Sequence, residues 1–261
     1  MTSRNIKQQR TVQSLSRSLG MLEAIADKAD GIALAAICRQ SGLHRSTAHH
    51  LLKTLALHGY VAQDEQTRDY RLGPKVYQLA SAKWSESQIA QLALPYLQDL
   101  VRRTGETVNL AMRKDSEAIL LETVDGEGTL RVVDRVGAAR PIYASAVGKI
   151  LLAWAPEDER EVLIEALHLK PIGPRTITDR GKLRKELTRI RELGYALDDE
   201  EMERGVRCVA APIFVLPGRA AAAIGIAGPA ARMTRETLFR FSKPLIRAVR
   251  QLSERLSRPG M

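Results

Sequence analysis

Three observations predict an α+β chain of two unequal domains: a small N-terminal helical domain ending in a β-hairpin, then a larger domain built on an antiparallel sheet. A length of 261 residues exceeds one small module and falls short of two average domains. Within the first eighty residues, three short helix-period apolar stripes precede two alternating runs. Beyond position 88, strand-like and helical stretches mix without strict βαβ order, which favours an antiparallel sheet with helices beside it.

Leu15, Leu19, Leu22 and Ala26 recur at helical spacing and predict a first helix from Ser14 to about Ala29, ended by Asp30-Gly31. Leu34, Ile37 and Cys38 form a second, short apolar face that closes at Ser41-Gly42. A third helix opens at Leu43-His44-Arg45-Ser46, with Ala48, Leu51, Leu52 and Leu55 as its buried stripe. That stripe forces Arg45, Ser46, His49, His50 and Lys53 onto the opposite, polar and basic face. Gly59 stops the helix; Tyr60 to Gln63 and Arg68 to Leu72 then alternate like strands across the polar turn Asp64-Glu65-Gln66-Thr67. Two helices meeting at a glycine turn, with a hairpin wing after them, make the winged helix-turn-helix geometry that enters a DNA major groove. Arg45, Ser46, Thr47, His49, His50 and Lys53 are the candidate recognition residues, Lys53 as a phosphate contact. Arg68 and Arg71 on the wing are candidates for a phosphate or minor-groove contact.

A charged face on a short helix is by itself ordinary solvated surface, so the distribution of charge matters. Forty Lys plus Arg against thirty Asp plus Glu leave +10, with a pI near 9.8. Residues 1–83 hold 12 basic and 6 acidic side chains, whereas residues 84–261 hold 28 and 24. The surplus lies beside the winged motif, and double-stranded DNA is the expected partner. A mean hydropathy of -0.19 and the lack of a long apolar run exclude a membrane-spanning helix. The polar, basic start MTSRNIKQQR has no apolar segment of the signal-peptide kind, so a cytoplasmic protein is expected. Cys38 and Cys208 read as free thiols. Four of the five histidines fall between His44 and His58, but neither HExxH nor a Cys/His zinc spacing occurs, so no metal and no cofactor is expected.

Residues 74–87 read as a linker helix between domains 1–73 and 88–261, with Val76, Leu79, Ala80 and Lys83 on one side. The run Ile89, Leu92, Ala93, Tyr96, Leu97, Leu100 keeps helical spacing through Pro95, which predicts a kink or a new start there. Thr107 to Met112, Glu117 to Val124 and Thr129 to Val136 look like strands, as do Cys208 to Val215 and Ala220 to Ala227. Helices are expected over Glu157 to Leu167, over Lys182 to Leu193 and from Thr234 onward. In the last, Leu238, Phe241, Leu245, Val249, Leu252 and Leu256 suit a core face, or an oligomer contact.

Tests for enzyme chemistry fail one by one. Gly148-Lys149 lacks the first glycine of a phosphate loop, since Tyr143 stands there, and Ile150 replaces the Ser or Thr that reaches magnesium. No GxSxG elbow occurs. The acidic run Asp198-Asp199-Glu200-Glu201 lacks a partner histidine, His168 being the only one in the larger domain. Paired carboxylates could still serve acid/base work, so a hydrolase using the cluster near Asp198 is the alternative reading; a solvated charge run is the plainer one. In PIYASAVGKILLAW, small residues (Ala144, Ser145, Ala146) open a helix whose unpaired N–H groups and dipole favour a carboxylate.

At this point the chain resembles the isocitrate lyase regulator (IclR) family of bacterial transcription factors. The resemblance rests on QSLSRSLGMLEAIA, SGLHRSTAHHLLKTLALHGYVAQD and YRLGPKVYQLA in the first domain, and on VGAARPIYASAVGKILLA, GYALDDEEMERGVRCVAAPI and AAAAIGIAGP in the second. It implies a winged helix-turn-helix domain and a GAF-like domain that binds a small metabolite, commonly a carboxylate, in proteins that are dimers or tetramers. It also implies ligand contacts from the amides of Ala146 and Val147, the side chain of Asp198, and Cys208. The chain departs from the family at His50, where an arginine is common, and at Gly225 and Ala227, where members that bind small hydroxy or keto acids commonly present serines. Strand alternation puts Gly225 and Ala227 on one face, so that wall of the pocket is expected to be roomier and less polar, suiting an aromatic or other bulky carboxylate. The whole implies a homo-oligomeric regulator that binds a palindromic operator and answers to that effector.

Overall fold

The computed structural model describes residues 12–28, 31–81, 85–216 and 218–257. They form two compact units, 1–83 and 84–261. The first helix, expected to reach about Ala29, ends at Ala26 with Asp27 as its C-cap; the stop expected at Asp30-Gly31 and residues 82–84 of the linker helix lie wholly or partly outside the described residues.

In the first unit α1 (Gln13–Ala26), α2 (Leu34–Ser41) and α3 (Arg45–Leu57) precede a two-stranded sheet of β1 (Val61–Gln63) and β2 (Tyr70–Leu72) and then α4 (Pro74–Ser81). Met21, Ile25, Ile37, Ala48, Leu52, Val61 and Tyr70 make the core. This corrects the expected stripe of α1: Met21 and Ile25 turn inward, while Leu15 and Leu19, about 120° round the helix, stay 58% and 51% exposed. Gly42 ends α2 in the left-handed conformation at φ 64°, the tight turn that lets α3 start three residues later. Ile32 exchanges both backbone hydrogen bonds with Tyr70, tying the segment before α2 to the wing.

The second unit opens with α5 (Glu86–Thr104), a single helix continuous through Pro95 and started by a capping box between Ser85 and Gln88. The six-stranded sheet has the order β5-β4-β3-β8-β7-β6 with every neighbour antiparallel. Its strands are β3 (Thr107–Lys114), β4 (Glu117–Val124), β5 (Ala139–Pro141), β6 (Ala196–Asp199), β7 (Val206–Leu216) and β8 (Arg219–Pro229). One face packs on α5 and α9 (Arg235–Ser257), where Leu238, Leu245, Val249, Leu252 and Leu256 bury against Val108, Leu110 and Ile224. The last helix is thus a core helix of its own unit. The other face carries α6 (Ala146–Ala153), with α7 (Glu157–Ala166) and α8 (Arg180–Leu193) beyond it.

Two strand expectations need correction. Residues 129–136 are not a strand: Val132 and Asp134 turn inward between exposed neighbours, but side chains rather than a backbone ladder hold the segment. Thr107 Oγ1 donates to the Val132 carbonyl at 2.6 Å, Asn109 Nδ2 to Asp134 Oδ2 at 2.9 Å, and Arg232 Nη2 to the Leu130 carbonyl at 2.9 Å. Alternation reports which way side chains face, not whether a partner strand exists. The two short edge strands, β5 and β6, conversely, were not expected; β6 ends in the acidic run.

Arg232 also grips Glu106 with two hydrogen bonds, at 2.7 and 2.9 Å, and Glu106 is buried. Arg232→Ala leaves that carboxylate unpaired and is expected to cost about 1–3 kcal/mol, measured as an earlier urea midpoint. An unchanged midpoint contradicts the anchoring role.

Candidate functional site

Two sites emerge, one in each unit. On α3, Ala48 and Leu52 face the core, leaving Arg45, Ser46, His49, His50 and Lys53 exposed, with Thr47 half-buried at the flank. The first turn contains no acidic residue, so its free N–H groups and the positive end of the dipole add to the basic side chains. His49 and His50 stand edge to face with ring centroids 6.3 Å apart. On the wing, Asp64 Oδ1 accepts from the amides of Thr67 and Gln66, bonds that hold its carboxyl below the usual range and shape the turn. Arg68 occupies that turn at φ 62° and is exposed. Arg71 sits farther back on β2, 3.9 Å from Asp64 Oδ2.

The second site is a cavity of about 370 Å³ in the larger unit. Its floor is sheet and its rim is the segment 130–134, the turn after β6 and the start of α6. Register explains how residues distant in sequence meet there: Asp198 pairs with Cys208, and Cys208 with Ala227, so three strands present one row of side chains. Ser145 caps α6, accepting from the Gly148 amide at 3.1 Å and donating to the Pro141 carbonyl at 2.9 Å. Ala146 and Val147, the first two helical positions, have no acceptor within the helix for their N–H groups, and both line the cavity.

Asp198 is buried; Oδ1 accepts from the Glu201 amide at 2.7 Å and the Met202 amide at 3.4 Å. Burial pushes its carboxyl up to about 6 despite those amides and nearby Lys149. Burial also raises the Cys208 thiol well above its ordinary value, leaving a neutral, unreactive group. Asp134 pairs with Arg140 at the cavity wall, and Asn109 donates to the same carboxylate.

Gly225 does not make the wall roomier. It lies beneath the cavity, opposite Asn109, and a Cβ there would sit 2.8 Å from Asn109 Oδ1, 2.9 Å from Val147 Cγ1 and 3.2 Å from Cys208 Sγ. The glycine is required because the first turn of α6 rests on the sheet at that point. Ala227 does line the cavity. Gly225→Ser is therefore expected to cost about 1–3 kcal/mol by overpacking, read from a denaturation midpoint; a variant as stable as the parent contradicts the close approach.

The acidic run divides its labour. Asp199 and Glu200 both bind Arg207, at 2.6 and 3.0 Å, while Glu201 pairs with the fully buried Lys149. It is neither plain solvated surface nor an open carboxylate pair. Sequence reasoning missed Lys149, Glu201, Asn109, Asp134 and Arg140. A signal did exist for two of them: Lys149 is the one charge in the apolar AVGKILLA, and Asn109 interrupts the apolar TVNLAM.

Residues 82–254 match the bacterial transcriptional regulator IclR C-terminal family, and residues 14–65 match the IclR helix-turn-helix domain. The chain belongs to the IclR family. It is 36% identical over 249 residues to the HTH-type transcriptional regulator XynR of Escherichia coli (strain K12), covering 95% of this chain and 99% of that protein. It is 33% identical over 244 residues to the transcriptional repressor IclR of the same strain, covering 93% and 89%. Among solved structures, Thermotoga maritima IclR superposes with a TM-score of 0.63 at 30% identity, covering 94% of this chain and 99% of that one. An IclR homologue from Microbacterium hydrocarbonoxydans, complexed with 4-hydroxybenzoate, gives 0.59 at 25% identity, covering 93% and 100%. This IclR-family chain is a DNA-binding transcriptional regulator with a C-terminal effector-binding domain and not an enzyme, and nothing among these relatives supports the hydrolase reading near Asp198. No helix among the described residues is long and apolar enough to cross a membrane.

Proposed function

We propose that this regulator acts in the cytoplasm as a homo-oligomer on a palindromic operator, and that its effector is a carboxylate with an aromatic or other bulky body. The observation that carries the effector reading is the pair of helix-start amides, Ala146 and Val147, opening into a cavity beside a buried Asp198. An acid group on those amides gains two hydrogen bonds and the helix dipole. Leu120, Val132 and Ala227 offer apolar wall to the rest of the ligand. A ring burying about 150 Å² there contributes about 4 kcal/mol. The relative complexed with 4-hydroxybenzoate supports the same ligand class. Calorimetry with benzoate-type acids beside glyoxylate and pyruvate tests the reading; tighter binding of the two- and three-carbon acids than of every aromatic acid contradicts it.

The raised carboxyl of Asp198 fixes the sign of a pH effect. Below about 6 the side chain is neutral and donates to the ligand's acid group; above it, the ionised form repels that group. Effector affinity is expected to fall as pH rises from 6 to 8, by up to about tenfold per unit, since binding then takes up a proton. Asp198→Asn flattens the profile. Affinity that rises with pH means that Asp198 instead accepts a hydroxyl proton from the ligand.

On DNA, Arg45, Ser46, Thr47, His49 and His50 read the major groove and Lys53 holds phosphate, while Arg68 and Arg71 touch the flanking backbone or minor groove. Two half-sites suit a symmetric oligomer, because one winged module buries too little surface for tight specificity. Exposed Leu15 and Leu19 on α1 support a contribution to self-association from the first unit. Arg45→Ala is expected to weaken operator binding by about 1–3 kcal/mol. His50→Arg is expected to strengthen it and steepen the dependence of log K on log salt by about one. Unchanged affinity in the first variant removes α3 from recognition.

A further inference from the structure

We propose that Arg140 is a specificity-determining residue of the effector cavity, and that it selects a carboxylate whose body carries a second, uncharged oxygen acceptor such as a keto, ether or hydroxyl group. On the reading of that cavity as the effector site, which this assignment presupposes, the ligand gains a second anchor beside the amides of Ala146 and Val147.

Arg140 stands on β5, paired with Ala118 of β4, and lines the cavity. Its Nη2 donates to Asp134 Oδ1, while Asp134 Oδ2 accepts from Asn109 Nδ2 at 2.9 Å. The Asp134 side chain is only 4% exposed, so it holds the guanidinium in place without itself facing the ligand. Among the described residues Asp134 is the one partner of that guanidinium, which leaves the N–H groups of Nε and Nη1 unspent. Neither nitrogen is sealed in the interior, and the side chain keeps 24% of its surface open. Other polar side chains of the lining are already engaged: Ser145 Oγ donates to the Pro141 carbonyl, Asn109 Nδ2 to Asp134, and the more exposed Arg131 faces Asp125 at 3.5 Å.

The ion pair decides which acceptor fits. Asp134 balances the charge of Arg140, and Asp198 and Glu203 add further acids to the lining, so a second carboxylate would find N–H donors but no surplus positive charge. An uncharged oxygen takes the same donors without placing another anion beside Asp134. A hydrogen bond from a charged donor is among the stronger ones, so its presence or loss should be visible in affinity.

The distance between the two anchors is set by one turn. Arg140 directly precedes it, and the Pro141 carbonyl accepts from the Ser145 amide at 3.1 Å and from Ser145 Oγ at 2.9 Å. Ile142 within the turn is fully buried against Gly148. The guanidinium and the amides that open α6 therefore hang from the same fixed piece of chain. An acceptor at the wrong place on the ligand's body misses Arg140, so positional isomers should differ.

The test is calorimetric titration of the full chain with ortho, meta and para methoxybenzoate, each beside the methylbenzoate of the same position, and with levulinate beside isocaproate. Isophthalate and terephthalate supply a second carboxylate. In at least one pair the oxygen-bearing acid is expected to bind about tenfold more tightly than its methyl partner, and the phthalates are expected to gain nothing. Arg140→Met should erase that preference while the methyl partner still binds. Because this change leaves Asp134 short of a donor and can disturb the fold, Arg140→Leu with Asp134→Asn is the second variant and should erase it too. The readout is a ratio between two ligands on one protein, which a general loosening of the cavity does not move. Arg140 loses the assigned role if every pair binds equally, if the preference survives in both variants, or if a phthalate binds more tightly than every methoxybenzoate. Equal binding within the benzoate pairs contradicts Arg140 and leaves the bulky carboxylate reading standing. A preference for levulinate with no benzoate bound does the reverse, and binding by none of these acids contradicts both.

Discussion

The seating of α6 on the sheet is the constraint from which the larger unit follows. A helix can lie this close only over small residues, and Ala196, Ala210, Gly225 and Ala223 supply them on the face beneath it. Gly148 serves the same end from the helix side: a Cβ there would lie 2.6 Å from Ile142 Cα. The helix is then pinned by an ion pair in the interior, Lys149 to Glu201. Taking both charges out of water is expensive, and their attraction repays it only when the geometry is good. Burial pushes the Glu201 carboxyl up to about 7 even though Lys149 favours its charged form, which shows how strongly desolvation acts there. Such a pair contributes little net stability for its cost, but it fixes where α6 starts, and hence where two unpaired amides point.

From that placement the chemistry of recognition follows without any reactive group. The Cys208 thiol is neutral, Asp198 is engaged by backbone amides, and the remaining carboxylates of the acidic run are neutralised by Arg207, Arg175 and Lys149. What remains is a concave, partly apolar space with a few convergent polar groups, the ordinary character of a ligand pocket. A ligand held there changes operator affinity only through its differential affinity for the DNA-competent and DNA-incompetent arrangements. The polar groups at the rim matter for that reason: residues 130–134 are held to β3 by side-chain bonds with no backbone ladder, so a ligand touching them acts on contacts that side chains alone make.

Much of this was legible in the chain itself, for physical reasons that differ by element. The stripe of α3 was readable because Ala48 and Leu52 face a small core with no competing surface. Helix α1 was misjudged because it carries apolar residues on two faces, and only packing selects Met21 and Ile25 over Leu15 and Leu19. Residues 129–136 misled because periodicity records side-chain direction, whereas a strand needs a backbone partner. The row Asp198, Cys208, Ala227 depends on register between three strands, which no local pattern encodes. Gly225 shows the limit most sharply. Its missing side chain reads as added space, yet Asn109, Val147 and Cys208 already fill that space.

The most direct test of the effector site is the amide resonances of Ala146 and Val147, followed by nitrogen-edited NMR on the deuterated chain during titration with 4-hydroxybenzoate. Direct hydrogen bonding of the acid group moves both amide protons downfield, and both saturate with the dissociation constant found by calorimetry. If the ligand binds by calorimetry while those two resonances stay where they are, the acid group is not held at the start of α6.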